Sequence, residues 1–212
     1  MLLNNLLFLP LDIPNPSMDI LKDLDAINYD NMSEDQYRNC YHIPIMRYDK
    51  KNNKSRWINK LPSLQQYLEQ YIFPWTNQSR VVIITTKPKT ANLPHIDCSP
   101  DKFNTLQHKF RFVFQGNTSD LKFLTNNSSV TVPNINKPFI MDGSWPHEMI
   151  NTTDKRKYTL ALGSPWEPTI SDNDYVSILK RSYIKYKQNY ISNKGLTLPK
   201  NYKELYEDIY KN

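Results

Sequence analysis

The amino-acid sequence predicts a mainly β chain, a jelly-roll core with α-helices flanking it at both ends, and three observations carry that expectation. From Arg80 to Gly163, short runs rich in β-branched and aromatic residues follow one another: VVIITT, KFRFVFQ, LKFL, SVTV, PFIM and KYTLALG. Turn formers such as Pro88, Pro100, Gly116, Asn126, Pro133 and Gly143 separate them. No helix-length insert lies between the runs, so the strands must pair antiparallel in a sandwich or barrel and cannot form a crossover α/β sheet.

Taken in order, the chain opens with MLLNNLLFLP, which Asn4 and Asn5 interrupt and which lacks both a basic residue before it and a small-residue cleavage site after it. It does not read as a signal peptide. Ser17 is placed to cap a helix with Ile20, Leu21 and Leu24 at helical spacing. Residues 31–54 read as loop, with an apolar stretch at Ile43 to Met46 that suits a strand. Ser63 followed by Gln66 resembles a capping box ahead of Leu64, Tyr67, Leu68, Tyr71 and Ile72. The strand runs follow. Beyond Pro168, Asp172 or Ser171 is placed to cap a helix bearing Val176, Leu179, Tyr183 and Tyr186, and a last helix after Pro199 carries Tyr202, Leu205, Tyr206, Ile209 and Tyr210. With no repeat and no low-complexity linker, one domain is expected over 1–212: a helical N-terminal part to about residue 78, a β core over about 79–166, and C-terminal helices over about 169–212.

Composition bounds the function. A hydrophobic fraction of 39% with 14 tyrosines and eight phenylalanines excludes a disordered or fibrous chain. The two cysteines, Cys40 and Cys98, show no paired metal-thiolate spacing, so a zinc ribbon or disulfide framework is not expected and a reducing cytoplasm is the default compartment. No apolar stretch approaches the roughly 20 residues of a spanning helix. The net charge of +6 attracts anions in general.

The chemistry gathers around His95 and Asp97. Residues two apart in an extended chain point to one side, so this imidazole and this carboxylate converge. His147, where the run PFIMDGSWP ends in a turn, is placed to add a third ligand from a neighbouring strand. Two imidazoles and one carboxylate on one face of an octahedral ferrous ion leave three positions open for a chelating cosubstrate and oxygen. Ten residues on, alternation puts Lys157, Thr159 and Ala161 on one strand face and Tyr158, Leu160 and Leu162 on the other. A cation inside a barrel needs an anion. The distal carboxylate of 2-oxoglutarate would supply it, with the Thr159 hydroxyl adding a hydrogen bond. Alternatively Lys157 lies at a strand end and reaches solvent.

The segments LPHIDCSP, HKFRFVF and FIMDGSWPHEMINTTDKRKYTLALG resemble the iron(II)/2-oxoglutarate-dependent oxygenases, and within them the aspartyl/asparaginyl β-hydroxylase-like group, which includes hydroxylases of free proline. The resemblance covers about residues 80–165 and implies a double-stranded β-helix (cupin-like) fold. It also implies Fe(II) held by His95, Asp97 and His147, and 2-oxoglutarate and O2 as cosubstrates. Lys157 and Thr159 stand where the group more often has Arg and Ser; lysine lacks the bidentate fork, and Arg156 is the neighbouring alternative. A second cosubstrate contact is implied at Arg111, with Lys109 as its alternative on the same face. Asp142 and Trp145 are near enough in sequence to orient His147 or line its pocket. His108 has no companion at ligand spacing and reads as a loop or surface residue; His42 likewise has no companion.

The resemblance implies a dioxygenase that hydroxylates an amino-acid side chain, free or in a peptide, while converting 2-oxoglutarate to succinate and CO2. A nucleic-acid oxidative demethylase is the competing enzyme; it lacks a compact basic patch with aromatics to receive a flipped base. A non-catalytic jelly-roll binding module is the remaining alternative.

Overall fold

A computed structural model of the chain describes residues 5–27, 40–49, 54–59, 61–75, 80–97, 108–166 and 173–205. Strand β1 (Leu6–Pro10) is followed by helix α1 (Ile20–Asp25), strands β2 (Cys40–Asp49) and β3 (Lys54–Trp57), and helix α2 (Pro62–Tyr71). There follow β4 (Arg80–Thr86), β5 (Ala91–His95), β6 (His108–Gln115), β7 (Leu121–Leu124), β8 (Ser129–Thr131), β9 (Phe139–Asp142), β10 (His147–Ile150) and β11 (Lys157–Trp166). Helix α3 (Asn173–Tyr186) and β12 (Ile191–Ser192) complete the described elements.

The strands form an eight-stranded sheet ordered β12-β1-β9-β6-β11-β4-β2-β3 and a four-stranded sheet ordered β5-β10-β7-β8. Every pairing is antiparallel. From β4 to β11 the chain places β4, β11, β6 and β9 side by side in the large sheet and β5, β10, β7 and β8 in the small one. That interleaving is the double-stranded β-helix, or jelly roll.

Two cores flank the large sheet, because its central strands, β6 and β9 among them, are buried on both faces. Phe110, Phe112 and Phe114 of β6 and Tyr158, Leu160 and Leu162 of β11 pack outward against Leu24, Leu68, Tyr175 and Leu179 of the helices. Val113, Phe139 and Met141 pack inward against Leu121, Phe123 and Met149 of the small sheet. The alternation read in KYTLALG is therefore the alternation between helix layer and barrel interior.

The N-terminal part carries more strand than expected: β2 contains the Ile43 to Met46 stretch read as suiting a strand, and β1 and β3 also join the large sheet. LLFLP is buried at every position, and such a strand shows a continuous apolar run without period-2 alternation. Helix α2 begins at Pro62 with Leu61 as N-cap and no side-chain cap, in place of a Ser63 capping box. Proline suits the first helical position, where its missing N–H has no intrahelical partner to lose. In α1 the N-cap is Asp19, and Ser17 contacts Asp19 instead of capping the helix. Cys98, Ser171, Asp172 and the last-helix residues Tyr206, Ile209 and Tyr210 lie outside the described residues. Among the described residues no helix is long and apolar enough to cross a membrane.

Candidate metal centre

The small sheet sets His95 and His147 directly opposite each other, at the end of β5 and the start of β10. Their ring centroids are 4.4 Å apart. Asp97 comes two residues beyond His95, and its N–H donates to the Gly143 carbonyl at 2.8 Å, which ties the end of β5 to the β9–β10 turn. The turn is itself braced: Asp142 Oδ1 accepts from the Ser144 N–H at 2.9 Å and the Ser144 hydroxyl at 2.6 Å, and Trp145 Nε1 donates to the Leu124 carbonyl at 2.7 Å. Asp142 and Trp145 thus shape the segment that delivers His147, and Trp145 belongs to the inter-sheet core.

One ligand atom from each of His95, Asp97 and His147 lies within 4.8 Å of the others. His95 Nε2 is 3.6 Å from Asp97 Oδ1 and His147 Nε2 is 3.8 Å from Asp97 Oδ2. Both rings use Nδ1 elsewhere, His95 toward the Leu93 carbonyl at 2.7 Å and His147 toward the Trp145 carbonyl at 2.8 Å. A carbonyl accepts only, so each Nδ1 carries the proton and each Nε2 presents a lone pair to the space beside Asp97. This is the tautomer a metal-binding histidine needs. The donor set therefore fits a divalent ion held on one face by two nitrogens and one carboxylate.

Charge around Asp97 favours its ionised form. Burial alone would raise its carboxyl pKa, but His147 and His95 in their protonated form, with Arg111 and Lys109, outweigh burial and hold it well below the usual carboxylate range; when the rings are neutral, Arg111 and Lys109 are the cations that remain. Arg111 Nη2 donates to Asp97 Oδ2 at 2.8 Å, while Nη1 donates to the Phe110 and Leu162 carbonyls. Lys109 and Arg111 are buried, so neither is the polar side of an exposed strand.

The triad lines a cavity of about 30 Å³ together with Arg111, Thr159, Asn92, His42 and both Met141 and Met149. Lys157 does not line it. Its ammonium donates to Asp120 Oδ2 at 2.7 Å and to the Asn117 carbonyl, and its stem packs where a side chain on Gly116 would sit. Lys157 is therefore neither at a solvent-exposed strand end nor, in this arrangement, beside the triad. Arg156 lies over the Tyr41 ring, 5.8 Å from its centroid.

One histidine differs from the sequence expectation. His108 is only 1% exposed, because β6 starts one residue before KFRFVFQ and carries it under α3, where its Nδ1 meets the Tyr175 hydroxyl. His42 on β2 lines the metal cavity, between Cys40 Sγ and Arg80 Nη2. Asn92 is a further cavity residue that spacing does not disclose.

No family model and no curated protein matches the chain. Among solved structures it is similar to a Pseudomonas putida prolyl-4-hydroxylase, at 13% identity over 74% of this chain and 91% of that one with a TM-score of 0.45. It is also similar to a 2OG-Fe(II) oxygenase family oxidoreductase from Burkholderia pseudomallei, at 11% identity over 69% of this chain and 76% of that one, TM-score 0.45. A third is OsALKBH1, at 10% identity over 73% of this chain and all of that one, TM-score 0.43. The jelly roll rests on this chain's own strand order, and the candidate metal centre on its own side chains.

Proposed function

We propose that the protein is a non-haem Fe(II)/2-oxoglutarate-dependent dioxygenase that hydroxylates an amino-acid side chain, free or in a peptide. One observation carries this reading: two imidazole Nε2 atoms and one ionised carboxylate face a common point inside a jelly roll, with every remaining polar atom of the two rings already bonded to backbone. A ferrous ion held there supplies oxygen activation coupled to decarboxylation of the keto-acid, giving succinate and CO2.

The chain's own groups have separable tasks. His95, Asp97 and His147 hold the ion. Arg111 fixes the Asp97 carboxylate and, with Lys109, makes the cavity attractive to a dianion. Thr159 offers a hydroxyl on the cavity wall. The cavity's volume suits an ion and a water, so a five-carbon keto-acid needs side chains to move, and Met141 and Met149 are the unbranched residues best able to do so. Lys157 reaches the keto-acid only by exchanging Asp120 for its carboxylate.

Metal titration under anaerobic conditions tests the centre. The wild type should take up one Fe(II) and then bind 2-oxoglutarate, whereas His95→Ala and Asp97→Ala should lose both, with metal affinity down by about 100-fold or more. Succinate release, stimulated by members of a panel of amino acids and peptides, reports the reaction. A wild type that takes up no divalent metal ends the proposal.

A further inference from the structure

Strand β5 contains an irregularity that aims a second polar side chain into the metal cavity. Under strict alternation His95 shares a face with Leu93 and Ala91, and Asn92 looks the other way. Instead Asn92 is 6% and His95 4% exposed, while Leu93 between them is 42% exposed. The ladder shows why. His95 stands opposite His147 and Asn92 opposite Met149, so the step along β5 is one residue longer than the step along β10. An extra residue of this kind is a bulge, which re-aims a neighbouring side chain, and Pro94 within it has no N–H to leave unpaired.

Asn92 thereby joins His95, Asp97, His147, Arg111 and Thr159 around one cavity. Among the described residues its buried Oδ1 meets no hydrogen-bond donor. A buried acceptor without a donor opposes folding and calls for a partner. Neighbouring donors are directed elsewhere: Arg111 toward Asp97 and two carbonyls, and the Thr159 hydroxyl toward Met149 Sδ.

We propose that Asn92 is a specificity residue that reads the substrate, its amide oxygen accepting a hydrogen bond from an N–H group of an amino acid or peptide carried to the metal. The proposal rests on the metal-centre reading above. The keto-acid is not the partner, because its dianion offers acceptors only. Substrates bearing an N–H near the reacting carbon satisfy Asn92, and substrates lacking one leave it buried without a partner. Discrimination between the two follows from that difference.

The test uses the full chain loaded with Mn(II) in place of iron and saturated with 2-oxoglutarate. The probes are N-acetyl amino-acid methylamides and their N-methylated counterparts, which lack the N–H, with binding measured by calorimetry. The wild type should prefer the N–H probes by about tenfold, the worth of one hydrogen bond. Asn92→Leu should abolish that preference while leaving Mn(II) and 2-oxoglutarate affinities within about twofold, and its thermal midpoint should not fall, since the change removes an unpartnered acceptor. Asn92→Asp, which keeps an acceptor at the same place, should retain the preference. The proposal is overturned if the preference survives Asn92→Leu, if that variant weakens 2-oxoglutarate as much as the N–H probes, or if the wild type binds neither probe. Failure of the wild type to take up a divalent metal is read separately, in the Fe(II) titration above, and counts against the metal centre itself.

Discussion

At the scale of the residue, Lys157 shows how one side chain satisfies two demands that sequence alone does not separate. A lysine ammonium inside a barrel requires an anion, and burial pushes its pKa down while Asp120 opposes that shift. Here the anion is Asp120, which also accepts from the Thr152 hydroxyl at 2.9 Å and from the Asn117 N–H. Removing one member of such a pair strands the other. Lys157→Met should therefore lower stability to chemical denaturation by about 3 to 5 kcal/mol. Asp120→Asn separates the structural role from a cosubstrate role: if Lys157 anchors the keto-acid, this variant should bind 2-oxoglutarate more tightly, because the competing carboxylate is gone. An unchanged affinity would leave Arg111 as the cation that matters. The triad was legible in the sequence because skip-one spacing marks His95 and Asp97 as a converging pair, although Asp97 lies in a bend just beyond β5, and because His147 follows a strand-ending turn. Asp120 was not, since its partner lies 37 residues away with no pattern linking them.

At the scale of the element, the β9–β10 turn braces the His95, Asp97 and His147 group that forms the candidate metal centre. Gly143 accepts the Asp97 N–H through its carbonyl and has no side chain. A Cβ there would stand 2.7 Å from Lys109 Cγ and 3.0 Å from Asp97 Cβ, closer than atoms pack. Both neighbours are confined, so Gly143→Ala should displace the Asp97 carboxylate, reducing metal affinity by about tenfold or more with a stability loss of about 1 to 3 kcal/mol. Metal titration beside a thermal melt measures the two together, and unchanged affinity would show that Asp97 does not depend on this turn. The strands from β4 onward were legible because β-branched and aromatic runs lie between turn residues. β1 escaped because both its faces are buried, which erases alternation. β5 escaped because its bulge places Asn92 and His95, three apart, on the same side, and a period-2 reading assigns them to opposite faces.

At the scale of the whole molecule, the large sheet works as a partition, with helices on one side and the cavity lined by the triad on the other, and His108 joins two of the packed layers. It lies on β6 beneath α3, its Nδ1 engaged with the Tyr175 hydroxyl and its Nε2 buried with no partner among the described residues. Tyr175 in turn stacks on Trp75, with centroids 5.8 Å apart. Asp142 stands opposite His108 in the ladder but accepts from Ser144 through its carboxylate. Burial lowers the His108 pKa from 6.5 to about 4, so the folded protein keeps this imidazole neutral over a range where the unfolded chain protonates it. The unfolded state then binds more protons, and stability falls as pH drops from 6.5 through about 4. The separation corresponds to about 3 kcal/mol at full development. His108→Gln keeps a hydrogen-bonding group near Tyr175 and removes the titration. Urea unfolding at a series of pH values should show wild-type stability declining across this window while the variant declines less steeply. Parallel curves would mean that protonation of His108 does not govern the acid response, and that the contact between α3 and β6 opens without it.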